Sequence, residues 1–217
     1  MPVDPVAPVR ESYDRMSDRY IELLGRVDLM HVDDRRRILE WASGPANDAA
    51  VSAEPPERAP RAGYLDLGCG PGHWTDALQR AGLQVSGIDL SPAFIASARR
   101  EFPDVDFEVG DARSLHYESG ALEGVLAWFS LIHTPPRDLP PLLDEIARVL
   151  AVGGRLLVGF FSGEELKRFD HAVAPAWFWP PHALAGELEA AGFEIVDLEE
   201  RREPGERAVA SLSASRR

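Results

Sequence analysis

The chain has a single cysteine, Cys69, among 217 residues. That count excludes an internal disulfide and a multi-cysteine zinc site. Positive charge is also scarce, with 23 Lys and Arg against 36 Asp and Glu and a formal net charge of -13. Phosphate backbones are repelled by such a balance, and no basic run interleaved with aromatics offsets it. Two basic clusters, Arg35-Arg36-Arg37 and Arg201-Arg202, lie beside Asp33 and Asp34 and beside Glu199, Glu200 and Glu203. They read as self-paired, solvated surface. No apolar run approaches the roughly 18 residues that a membrane helix needs. The start, MPVDPVAPVR, lacks the basic stretch and apolar run of a secretory signal. Nucleic acid and membrane are therefore disfavoured as partners and a small molecule is favoured. The cytoplasm is the expected location, with either a monomer or a homodimer allowed.

What is present is a globular composition, 45% hydrophobic and 27% charged, in a chain long enough for one domain with an appendage. Residues 10 to 42 read as helical, because Tyr13, Met16, Tyr20, Leu23 and Leu24 recur at three- and four-residue spacing, followed by Ile38, Leu39 and Trp41. This gives an N-terminal helical cap over 1–42. Residues 43–62, rich in Ala, Pro, Gly and Glu, read as a linker. From Gly63 to the end, over 63–217, strand and helix patterns alternate. The spacing predicts strands at 64–67, 84–89, 105–109, 124–129, 155–160 and 193–198, and an edge strand within 207–213. Helices are predicted at 74–80, 92–101, 139–150 and 181–191. The fold class is α/β, a Rossmann-like, doubly wound, mostly parallel seven-stranded sheet with helices on both faces.

The most informative stretch is Tyr64-Leu65-Asp66-Leu67-Gly68-Cys69-Gly70-Pro71-Gly72-His73-Trp74-Thr75. A short apolar run enters a turn carrying three glycines, and a helix follows. Glycine lets the backbone approach a ligand with no Cβ in the way. The helix start then offers unpaired N–H groups to an anionic part of that ligand. A dinucleotide fingerprint requires G-x-G-x-x-G or a final alanine. Here His73 occupies that last position, which disfavours an NAD(P)-dependent oxidoreductase. Asp89 ends the second strand 23 residues after Asp66, close to the spacing at which a carboxylate grips ribose hydroxyls. The competing reading is an acid before the helix that starts at Ser91-Pro92. Asp111 and Ala112 follow the third strand, where an Asp turn is the competing reading. After the fourth strand, X-Pro steps at Thr134-Pro135-Pro136 hold His133 in a loop over the carboxyl edge of the sheet. There an imidazole serves either as a base or as a backbone-bonded structural group. Between Phe160 and Pro181 stand His171, Trp177 and Trp179 among other aromatics, either walling a pocket for an apolar or planar substrate or covering the sheet.

The segment D-L-G-C-G-P-G resembles the first motif of class I S-adenosylmethionine-dependent methyltransferases. Tyr13-Asp14-Arg15-Met16-Ser17-Asp18-Arg19-Tyr20 is similar to the Y-D-x-x-(A/S)-x-x-Y element that precedes the core in the quinone-ring and related small-molecule members. The resemblance covers residues 12 to about 200. It implies S-adenosylmethionine as cofactor and S-adenosylhomocysteine as product. The cofactor site would comprise Tyr20, Asp66, Gly68, Cys69, Gly70, Gly72, Trp74, Asp89, Leu90, Asp111, Ala112, Trp128, Phe129 and Ser130. Asp66 would order the glycine loop and help hold the ammonium, Asp111 would meet the adenine amine, and Tyr20 would approach the methionine portion. His133 is the candidate catalytic base, with Tyr13, His133, His171, Trp177 and Trp179 at the acceptor pocket. The implied reaction is methyl transfer to an O, N or C nucleophile of a small molecule, with no metal. A protein that binds the cofactor without transferring methyl is the other class left open.

Overall fold

The chain is described by a computed structural model over residues 6–44 and 62–217. The linker expected at 43–62 lies almost wholly outside the described residues. The N-terminal pattern resolves into two helices, α1 (Ala7–Leu24) and α2 (Val32–Ser43). The predicted single helical stretch breaks at Gly25, whose N–H closes the last turn on the Ile21 carbonyl, and a short 3-10 turn at Val27–Leu29 follows. His31 restarts the helix, its Nδ1 accepting the Asp33 N–H as a cap.

Strands β1 (Ala62–Leu67), β2 (Val85–Asp89), β3 (Asp106–Val109), β4 (Leu122–Trp128) and β5 (Leu150–Ser162) form the parallel half of the sheet. Between them run α3 (His73–Arg80), α4 (Pro92–Glu101) and α5 (Leu139–Val149). A short hairpin, β6 (Lys167–Phe169) and β7 (Ala176–Trp179), precedes α6 (Pro181–Ala190), β8 (Phe193–Arg201) and β9 (Val209–Arg216). The order is β3-β2-β1-β4-β5, continued by β9 and then β8, with β7 and β6 attached at the end of β5. Among the described residues nine strands replace the expected seven, because the aromatic 160–181 segment makes a hairpin of its own. The closing strand is also interior, not an edge. It runs antiparallel between β5 and β8, with Leu212 fully buried.

Alternation along β1 sorts the two faces. Leu65 and Leu67 pack with Leu143 and Ile146 of α5 and Leu188 of α6. Tyr64 turns the other way, toward Trp74 and Leu78 of α3 and Ile38 and Trp41 of α2. Burying Ile38 and Trp41 contributes roughly 3–6 kcal/mol before chain entropy, so α2 is part of the packed body. It meets β8 through ion pairs: Arg36 to Glu199 at 2.5 Å, Arg37 to Asp197 at 2.5 Å and Arg201 to Asp34 at 2.6 Å. Arg36, Arg37 and Arg201 are thus paired across α2 and β8, and Arg37, expected on solvated surface, is buried at 8% exposure. Local contacts accompany these, with Arg36–Glu40 at 2.7 Å, Arg36–Asp33 at 3.9 Å and Arg201–Glu203 at 3.7 Å. Sequence proximity hides a cross-connection between segments 160 residues apart.

Candidate active site

The switch point of the sheet lies between β1 and β4, where connections leave in opposite directions and a crevice opens at the carboxyl ends. The glycine turn there is a left-handed backbone, with φ of 72° at Gly68, 54° at Gly70 and 89° at Gly72. Their surroundings differ. A Cβ on Gly68 would come within 2.3 Å of Ser130 Cβ, and one on Gly72 within 2.6 Å of the Phe107 ring. A Cβ on Gly70 would meet nothing within 4 Å, because that residue faces open cavity.

Two carboxylates hold this turn. Asp66 is 2% exposed beneath it and accepts the Thr75 hydroxyl at 2.7 Å. Burial pushes its carboxyl up to about 7. Asp89 accepts the Gly70 N–H at 2.9 Å on one oxygen and the Ser91 N–H at 2.8 Å on the other. Burial lifts it to about 6, against the pull of those two bonds. Each oxygen keeps a lone pair for a ligand. At β3's end, burial raises Asp111, but hydrogen bonds from Arg113 outweigh it and hold the carboxyl below its usual range. At β4's end Phe129 has φ of 54°, a conformation that costs a non-glycine residue of order 1–3 kcal/mol. Its N–H is anchored on the Gly159 carbonyl. The buried Ser130 hydroxyl, against Gly68, has no partner.

Helix α1 closes the crevice. Ser91 Oγ donates to Asp14 at 2.5 Å, and the rings of Tyr13 and Tyr20 rest on Phe94, with centroids at 5.6 and 5.1 Å. Tyr13 Oη lies 2.8 Å from His133 Nε2, while His133 Nδ1 lies 2.9 Å from the Pro175 carbonyl. A carbonyl can only accept, so Nδ1 carries the proton and Nε2 the lone pair, and the Tyr13 hydroxyl is the donor. Burial holds the imidazole below its ordinary range and therefore neutral near pH 7.

The resulting cavity has a volume of about 670 Å³. Of the residues singled out from the sequence, Tyr13, Tyr20, Gly68, Gly70, Asp89, Leu90, Asp111, Ala112, Trp128, Phe129, Ser130 and His133 line it. Asp66, Cys69, Gly72 and Trp74 do not. Asp66 and Gly72 shape the turn from below, Trp74 packs in the α2–α3 core, and Cys69 sits among Ile95, Ala98 and Phe107. Trp177, Trp179 and His171, expected at the acceptor pocket, do not line this cavity either. β7 pairs with the end of β5, which sends Trp179 into the core at 5% exposure and packs Trp177 against that core. His171 stands behind His133, with ring centroids 5.4 Å apart. Asp14, Ser91, Phe94 and Arg113 escaped the sequence reading. Asp14 carried a signal, as the acid of the Y-D element, but its partner at Ser91 lies 77 residues away.

Residues 65–154 match the family model described as a methyltransferase domain. The chain is 30% identical over 165 residues to a demethylmenaquinone methyltransferase of Beutenbergia cavernae, covering 75% of this chain and 66% of that protein. Its fold superposes on magnesium protoporphyrin IX methyltransferase from Synechocystis, solved with bound S-adenosylmethionine, with TM-score 0.69 at 20% identity over 99% of this chain and 98% of that one. It also superposes on the 4+2 cyclase SpnF, with TM-score 0.73 at 21% identity over 96% and 95%. This chain belongs to the class I S-adenosylmethionine-dependent methyltransferase family. It spans between 41% and 66% of the length of the first four curated relatives it matches.

Proposed function

We propose that this protein transfers the methyl group of S-adenosylmethionine to an O, N or C nucleophile of a small molecule. The observation that carries the reading is the convergence of Gly70, Asp89 and Asp111 on one cavity at the switch point. The residues present fit the cofactor. Gly70 leaves open the volume that any side chain would fill, and the Ser130 hydroxyl beside the glycine turn lacks a partner. Asp89 would take the ribose hydroxyls, Asp111 and Ala112 the adenine, and Tyr20 with the glycine turn the methionine portion. The bound cofactor supplies an electrophilic methyl on a sulfonium. The chain's own work is alignment, exclusion of water and, where the nucleophile carries a proton, its removal. We place that last task on His133. The name of the relative from Beutenbergia cavernae supports small-molecule methyl transfer. A neighbour named for a cyclase shows that this fold also carries other chemistry, so an assay with labelled methyl donor over a metabolite panel is the test.

Asp89→Ala is expected to weaken S-adenosylhomocysteine binding by about 1–3 kcal/mol, through a lost charge-assisted ribose contact and a loosened turn. With the carboxyl near 6, affinity for the wild type should be full above that pH and decline as pH falls through it. The carboxylate is the better acceptor, and protonation removes it. Calorimetry from pH 5 to 8 checks both points. An Asp89→Ala variant that binds normally would move the ribose site elsewhere.

We further propose that α1 is a lid within an N-terminal cap over 1–42, joined through 43–62 to the domain over 63–217. Its contacts to the domain over the cavity include Tyr13–His133, Asp14–Ser91 and the Tyr13 and Tyr20 rings on Phe94, a surface apart from the α2 core, which suits an element that opens and closes. S-adenosylhomocysteine should protect residues 10–30 from amide exchange. Deleting residues 1–25 should weaken cofactor retention and leave the sheet folded. Exchange indifferent to ligand, with an undiminished truncated protein, would make α1 a packing element only.

A further inference from the structure

The imidazole assigned as base has no free nitrogen toward the cavity. Nδ1 is held by the Pro175 carbonyl, and the Nε2 lone pair is filled by the Tyr13 hydroxyl at 2.8 Å. The atom of this pair that remains open is Tyr13 Oη. It spends its one proton on His133 and keeps two lone pairs, and Tyr13 lines the cavity. We propose that Tyr13 is the catalytic group that meets the acceptor, and that its proton partner is His133. The acceptor's O–H bond breaks and its proton passes to Tyr13 Oη. The Tyr13 O–H bond breaks in concert, and that proton passes to His133 Nε2. The electron pair of the first bond stays on the acceptor oxygen as nucleophile. The charge ends on an imidazolium whose Nδ1–H stays bonded to the Pro175 carbonyl, which orients the ring through both states.

Burial explains why the two groups must act together. The Tyr13 phenol, raised well above its ordinary value by burial, with Tyr20 and Asp89 adding to the effect, stays protonated and cannot act as a base on its own. Handing its own proton on removes that barrier. Because Tyr13 rides on α1, the relay exists only while α1 is docked, so proton removal is tied to closure.

The same surroundings define the acceptor. From Tyr13 a chain of ring contacts runs to His133 at 5.5 Å, His171 at 5.4 Å, Phe161 at 5.7 Å and Phe129 at 5.2 Å. Tyr13, His133 and Phe129 line the cavity, and His171 and Phe161 close behind them. Ring faces and edges around one ionisable contact suit a hydroxyl carried on a flat ring.

This inference rests on the methyltransferase reading, so the test begins by titrating S-adenosylhomocysteine. Loss of that binding would count against the reading itself. On the loaded protein, the affinities of 4-methylphenol and 4-methylanisole are then compared at neutral pH, two flat rings that carry a proton or a methyl on the same oxygen. The wild type should prefer 4-methylphenol by about three- to tenfold, one net hydrogen bond. Tyr13→Phe should erase the preference, and His133→Gln, which still accepts from Tyr13, should retain it. Nitrogen NMR of the loaded protein should show His133 Nε2 unprotonated and its resonance displaced in Tyr13→Phe. Equal binding in the wild type, a preference that survives Tyr13→Phe, or no binding of either ring while S-adenosylhomocysteine binds would each overturn the proposal.

Discussion

Gly70→Val is expected to abolish binding of S-adenosylmethionine and S-adenosylhomocysteine while the sheet stays folded. A Cβ at this position meets no protein atom within 4 Å, so the side chain enters the cavity, not the core. The bulk stands where the proposed ligand must come closest to the backbone, and a β-branched residue is poorly suited to φ of 54°. The backbone penalty, about 1–2 kcal/mol, is small beside the packing that α5, α6 and α2 provide. Gly70→Ala separates the contributions: it carries most of the strain with less bulk and should bind weakly. Calorimetry read beside thermal unfolding checks both. A valine variant that melts like the wild type and still binds would show that the ligand does not pass over this turn.

His133→Ala should lower methyl turnover by roughly 100-fold or more with cofactor affinity nearly unchanged. The imidazole touches α1 and the hairpin through Tyr13 and Pro175, whereas the proposed adenosyl positions, Gly70, Asp89 and Asp111, lie on the glycine turn and at the ends of β2 and β3. Turnover in the wild type should fall as pH drops through the imidazole range, because the protonated ring has no lone pair for Tyr13. Burial places that fall below the ordinary histidine value. The measurement is a rate profile with the acceptor returned by the labelled-methyl panel. Turnover indifferent to the substitution would assign His133 to structure, or the nucleophile to a kind that needs no base.

The parts of this site that were legible in the sequence are those set by local rules. Strand-turn-helix punctuation placed Gly68, Gly70 and Gly72, and the alternation of elements placed Asp89 and Asp111 at the carboxyl edge. Asp111 shows the limit of that reading. Its Arg113 partner is two residues away, yet the pairing depends on the loop's geometry after β3. Trp177 and Trp179 were open between pocket and core, since an aromatic run reads alike in either. The register of β7 on β5 decides, and register is a tertiary property. The Tyr13–His133 bond spans 120 residues, and Ser91–Asp14 spans 77. Such contacts have no local signature and appear only once α1 is laid over the sheet. The left-handed Phe129 belongs with them, because nothing in its residue type announces that conformation.

In the reading proposed above, this glycine turn with its two carboxylates is an adenosyl-methionine site. Side-by-side calorimetry of S-adenosylhomocysteine and NAD on the full chain tests it most directly. Micromolar-range binding of S-adenosylhomocysteine is expected, equivalent to about -8 kcal/mol, with no heat from NAD. Tighter binding of NAD, or silence with S-adenosylhomocysteine, would contradict it.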